Sequence, residues 1–91
     1  MVKEQRILLY SGSVQGVGFR YTAVRLSIRY AVDGYVRNLP DGSVELLAEG
    51  DGDEITAFTQ ALAKRFDGYI RDHRVSRRPY SGEFRGFVVR P

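Results

Sequence analysis

The sequence predicts an α+β sandwich in which two helices pack on one face of a mainly antiparallel sheet. Two observations carry this expectation. First, β-prone apolar segments and segments with apolar residues at helical spacing follow one another in the order β-α-β-β-α-β. Second, the middle pair of strands is joined by the short turn "LPDG", which makes them a hairpin, while each helix lies between two strands.

The elements follow in order. "RILLYSGSV" (Arg6 to Val14) is apolar and β-prone, and reads as the first strand. From Phe19 to Tyr30 the apolar residues Phe19, Ala23, Leu26 and Tyr30 share one face of a helix of about three turns, with Arg25 and Arg29 on another. Ala31 stands where a glycine would close that helix naturally. "VDGYVRN" (Val32 to Asn38) alternates. Pro40, Asp41 and Gly42 suit a tight turn, and "SVELLAEG" (Ser43 to Gly50) returns. In that return strand Val44, Leu46 and Ala48 face one way, and Glu45, Leu47 and Glu49 the other. "DGDEITAFTQALAKRF" is the clearest helix. Asp51 or Asp53 caps it, and Ile55, Phe58, Leu62 and Phe66 form its buried stripe. The acids there lack the ligand spacing and closing glutamate of a calcium loop. "GYIRDHRVSRRP" is a strand leading to a turn near "PYSG", and "EFRGFVVRP" is a final strand. This succession is the split βαβ, ferredoxin-like pattern, with an extra short strand possible at the end.

Composition narrows the chemistry. The 91 residues suffice for one domain, residues 1–91, with one modest core. There is no cysteine, which excludes disulfides, thiol catalysis and cysteine-based metal sites. The single histidine, His73, has no partners at the spacing of a catalytic triad or a metal site, and reads as a structural or exposed strand residue. No apolar stretch approaches the length of a membrane span, and "MVKEQRILLY" reads as a strand rather than a signal peptide, so a cytoplasmic location is expected. The net charge is +3, and only Lys3 and Lys64 are lysines. The positive charge is therefore nearly all arginine, which suits bidentate contact with phosphate or carboxylate. Arg71, Arg74, Arg77 and Arg78 form a basic run that reads as a solvated strand edge.

The most informative stretch is "SGSVQGVGFRYTAV" (Ser11 to Val24), between the first strand and the first helix. Glycine lets backbone approach a ligand closely and take positive φ. Successive amides in such a loop can form an anion-binding nest, and the following helix start adds unpaired donors. Arg20 stands in the first helical turn, where its planar fork can grip two phosphate oxygens. The loop is not a P-loop, having no Gly-Lys-Ser/Thr, and it is not a dinucleotide fingerprint, because Tyr21 replaces the third glycine. Residue types alone leave two readings open. One is an anion cradle; the other is a tight turn with Arg20 in a surface ion pair.

At these residues the sequence resembles the acylphosphatase family. "GSVQGVGFR" (Gly12 to Arg20) matches its first signature, "GYVRNLPDGSVELLAEG" (Gly34 to Gly50) its second, and "SGEFRGFVVR" (Ser81 to Arg90) its last strand. The resemblance implies hydrolysis of the carboxyl–phosphate bond of acyl phosphates. It places the catalytic arginine on Arg20, the catalytic asparagine on Asn38, and the phosphate cradle on the backbone of Gln15, Gly16, Val17, Gly18 and Phe19. It implies a small-molecule substrate, phosphate or sulfate at the loop, no cofactor, no metal, no nucleic acid or membrane partner, and a monomer. The chain departs from the family pattern at "YAV" (Tyr30 to Val32), where a leucine-glycine pair is usual, and at His73, where an apolar residue is usual.

Two rival readings keep the same topology. RNA recognition motifs share it, and "RGFVV" (Arg85 to Val89) imitates one of their stretches, though on the wrong strand. A non-catalytic interaction module is the other; the family's domain also occurs inside a larger hydrogenase-maturation protein.

Overall fold

The computed structural model describes residues 2–91. The elements are β1 (Lys3–Gly12), α1 (Phe19–Ser27), β2 (Val32–Asn38), β3 (Val44–Asp51), α2 (Gly52–Arg65), β4 (Ile70–Pro79) and β5 (Phe87–Val89). They form one five-stranded sheet in the order β4-β1-β3-β2-β5. β1 runs antiparallel to β3 and β4, and β2 antiparallel to β3. Only the short β5 pairs in parallel, with β2. The expected sandwich is therefore present, with the optional last strand realised.

The core lies between the sheet and the helices. β1 and β3 contribute Leu8, Tyr10, Val44, Leu46 and Ala48, in a register that sets Leu8 opposite Leu46 and Tyr10 opposite Val44. α1 contributes Phe19, Ala23 and Leu26; α2 contributes Ile55, Phe58 and Leu62, and Phe66 closes the stripe. Phe19, the first residue of α1, is wedged between Tyr10 (ring centroids 4.9 Å apart) and Phe66 (4.8 Å). A large ring in contact on both sides fixes the position of the helix start, and with it that of Arg20.

α2 begins as the sequence predicts. The Asp51 carboxylate accepts from the Asp53 amide at 3.0 Å, and Asp53 and Glu54 occupy the first turn. α1 is shorter than expected and stops at Ser27 rather than Tyr30. The reason is the missing glycine. Among the described residues no non-glycine residue takes a positive φ, so Ala31 does not enter the left-handed cap that a β-carbon makes costly. The chain instead tightens: the amides of Arg29 and Tyr30 donate three residues back, and Val32 donates to the Tyr30 carbonyl at 2.9 Å. Glu54 on α2 accepts from the Ala31 amide at 2.9 Å and holds the corner. Tyr30 still reaches the core, against Phe58.

The other face of the sheet is partly covered as well. Leu47 and Glu49 point away from the helices, yet both are buried, Glu49 to 1% exposure. The segment after β4 folds back over them. Glu49 accepts from Gln5 Nε2 (2.7 Å), from the Ser81 amide and hydroxyl (2.8 and 2.7 Å) and from the Gly82 amide (3.0 Å). Phe84 packs on Tyr35 with ring centroids 5.9 Å apart.

Candidate active site

The site forms where β1, the glycine loop, α1, the end of β2 and β5 converge. The first strand was expected to run to Val14, but it ends at Gly12. Val14 is instead tucked inward, 1% exposed, and anchors the loop that follows. Gly16 and Gly18 have φ of 78° and 82°, while Val17 between them is not positive. Alternation of this kind is the backbone pattern that can turn successive amides to one side and form an anion-binding nest. A β-carbon at either glycine would meet nothing within 4 Å, so backbone conformation rather than crowding demands glycine here.

Gly18 is also the N-cap of α1, and it supplies no side-chain hydrogen bond. The Thr22 amide donates to the Gly18 carbonyl at 2.9 Å. The amides of Phe19, Arg20 and Tyr21 precede that first intrahelical bond and have no partner within the helix. No acid stands in the first turn. α2, by contrast, carries its own cap and two acids. The positive end of α1 is left free for an external anion.

Gly16, Gly18, Phe19 and Arg20 line one pocket of about 270 Å³ together with Asn38. Arg20 makes no ion pair with any described residue, which removes the surface-pair reading of the sequence. Asn38 is the last residue of β2, paired with Val44. Its Oδ1 is buried and has no hydrogen-bond partner among the described residues. A buried acceptor of this kind is uncommon, and here it stands in the wall of the pocket.

Gln15 and Val17 belong to the loop without lining the pocket. The Gln15 side chain has a task of its own, beside the backbone role expected of the residue. Its side-chain amide donates to the carbonyls of Leu39 and Ser43, both at 2.9 Å. Leu39 and Ser43 themselves close the hairpin turn, with the Leu39 amide donating to the Ser43 carbonyl at 2.9 Å. Gln15 thus ties the loop to the turn that follows Asn38. Tyr21 and Val89 also line the pocket and were not foreseen as site residues. Val89 arrives on β5 through a non-local parallel pairing, which no local pattern announces. Tyr21, directly after Arg20 and 65% exposed, could have been suspected from its neighbour. Phe87, in the stretch that imitates an RNA-binding motif, is buried edge-on against Phe58 (5.2 Å) and offers no face for a base.

A family model described as Acylphosphatase matches residues 6–89. This chain belongs to the acylphosphatase family. It is 44% identical over 85 residues to an acylphosphatase of Aeropyrum pernix, covering 91% of this chain and 84% of that one. It is 43% identical over 83 residues to an acylphosphatase of Thiobacillus denitrificans, covering 91% and 92%. The crystal structure of acylphosphatase from Bacillus subtilis superposes with a TM-score of 0.88 at 30% identity, covering 97% of this chain and 99% of that one. The resemblance read from the two signatures is thereby upheld. The ferredoxin-like sandwich is the fold that this chain shares with that relative.

Proposed function

We propose that this chain hydrolyses acyl phosphates to a carboxylate and inorganic phosphate, with Arg20 and the glycine loop holding the phosphoryl group and Asn38 positioning the attacking water. Membership of the family supports the reaction. The assignment of roles rests on one observation: an uncapped helix start, an unpaired guanidinium and an unpartnered amide oxygen line the same pocket.

The steps follow from these groups. The phosphate dianion docks on the amides of the loop and of the α1 start, and on the fork of Arg20. Asn38 Oδ1 accepts a hydrogen bond from water and aligns it opposite the leaving group. The oxygen of the water forms a bond to phosphorus as the phosphorus–oxygen bond to the acyl group breaks, and the carboxylate leaves with that electron pair. One proton of the water stays on the attacking oxygen, and the other passes to a phosphoryl oxygen, giving dihydrogen phosphate. A carboxylate is a weak base and needs no general acid. An amide cannot act as a base near neutral pH, and a loose transition state asks little base help. Positioning and charge stabilisation carry the rate, and no step is routed through a metal or a covalent intermediate.

Hydrolysis of benzoyl phosphate at neutral pH with EDTA present tests the reading. Activity in chelator, with Arg20→Ala nearly dead but folded, supports it. A folded wild-type chain without activity overturns it in favour of an interaction module.

A further inference from the structure

A second concavity opens beside the cradle, along the outer surface of α1. Its volume is about 330 Å³, larger than that of the cradle pocket, and Tyr21 lines both. Arg25, Arg29 and Arg65 surround it, and no acid does. None of the three makes an ion pair with a described residue. Arg25 and Arg65 stand in the last turns of their helices, where cations are favoured. That accounts for their presence there, but not for three uncompensated guanidinium groups around one hollow. The Arg25 guanidinium is held over the exposed ring of Tyr21, 5.6 Å from its centroid. α1 advances about 1.5 Å and about 100° per residue, so Arg25 stands about 7.5 Å along the axis from Arg20 and about 140° around it, and the two hollows are joined through Tyr21, which lines both.

We propose that Arg25, Arg29 and Arg65 form a subsite for a second anionic group on the acyl part of the substrate. The enzyme would then favour acyl phosphates whose acyl chain ends in a carboxylate or phosphate over those with a neutral acyl chain. The inference rests on the phosphate-cradle reading above. The reacting phosphoryl group sits at Arg20, the acyl chain passes Tyr21, and the distal anion meets Arg25 and its neighbours. Guanidinium forks suit either anion.

The test compares 4-carboxybenzoyl phosphate with 4-methylbenzoyl phosphate, which are rigid and differ in charge at the far end. The readout is the ratio of their kcat/KM values. The triple variant Arg25→Gln, Arg29→Gln, Arg65→Gln is expected to lower that ratio at least tenfold, mainly through KM. Arg25→Lys, which keeps the charge, should retain most of it. Arg78→Gln, an equal loss of charge on the exposed strand β4, should leave the ratio within twofold. A ratio unchanged in the triple variant overturns the subsite, as does an equal fall in Arg78→Gln, which would reduce the effect to net charge. If the wild type cleaves neither compound, the hydrolase reading fails and the subsite falls with it; cleavage of both with an unaltered ratio sinks the subsite alone.

Discussion

Gln15 Nε2 donates to the carbonyl oxygen of Leu39 at 2.9 Å, and so fastens the glycine loop to the turn that follows Asn38. The same nitrogen reaches the Ser43 carbonyl. One half of the proposed site, the cradle, is thereby held in register with the other, the residue that aligns water. Gln15→Ala removes both bonds. It is expected to lower kcat about tenfold with a smaller change in KM, since alignment is lost while phosphate binding is retained. The loss of folding stability should be about 1–3 kcal/mol. Steady-state kinetics and a urea melt on the same preparation separate the two effects. A fall in stability with kcat untouched would make Gln15 purely structural.

Among the described residues, Arg20→Ala removes the only charged side chain that lines the cradle pocket. Losing one such charge-stabilising contact should raise the barrier by about 3 kcal/mol, a fall of 100-fold or more in kcat. Competitive inhibition by inorganic phosphate should weaken in parallel. Arg20→Lys restores charge without the two-pronged grip and should recover only part of the rate. Full recovery by lysine would argue against bidentate contact.

Gly18→Ala tests backbone geometry. With φ of 82° and open space around the new methyl group, the strain comes from conformation alone. The penalty is about 1–2 kcal/mol if the loop keeps its shape. If the loop relaxes, stability is spared and the nest is spoiled. Either way activity should fall more steeply than the melting temperature, and a phosphate titration would show weaker binding.

Glu49 sets an acid limit on stability. Burial by itself pushes its carboxyl up, but the hydrogen bonds from Ser81, Gln5 and Gly82 outweigh burial and hold it below the ordinary value of 4.5. The folded chain therefore prefers the ionised form. The stability this contributes is fully present above about pH 4.5 and is lost as pH falls through the depressed folded value. Glu49→Gln should be less stable than wild type at pH 7, and the two should converge toward pH 3. Thermal melts across that range check the expectation; parallel curves would contradict it.

Tyr10→Phe should be neutral or stabilising. The Tyr10 hydroxyl is buried, has no hydrogen-bond partner among the described residues, and is pushed up in pKa by burial. Its removal relieves a desolvation penalty of about 1–3 kcal/mol while the ring contact with Phe19 is kept. Chemical denaturation gives the sign directly.

Much of the molecule was legible along the chain because its signals are local. The span of β2 from Val32 to Asn38, the Asp51 cap and the stripe from Ile55 to Phe66 each follow from neighbours within a few residues. So does the need for glycine at 16 and 18, since positive φ is a property of the backbone itself. Arg20 and Asn38 were nominated by the two signatures, and the fold brings them to one pocket.

What the sequence left open involves pairings between distant segments. The early end of α1 was visible as a missing glycine, but its rescue needed Glu54 from the other helix. Alternation along β3 sets Glu49 on the face away from Val44, Leu46 and Ala48, but says nothing of what covers that face. Glu49 is buried because residues 80–82 fold over that face and satisfy the carboxylate. Gln15 was read through its backbone because the carbonyls that accept from its side chain lie 24 and 28 residues away. Val89 entered the site by parallel pairing with β2. Local propensity and turn chemistry thus set the order of the elements and the shape of the cradle. Long-range closure of the sheet decided which side chains surround it, because packing and hydrogen-bond satisfaction are settled only when distant segments meet.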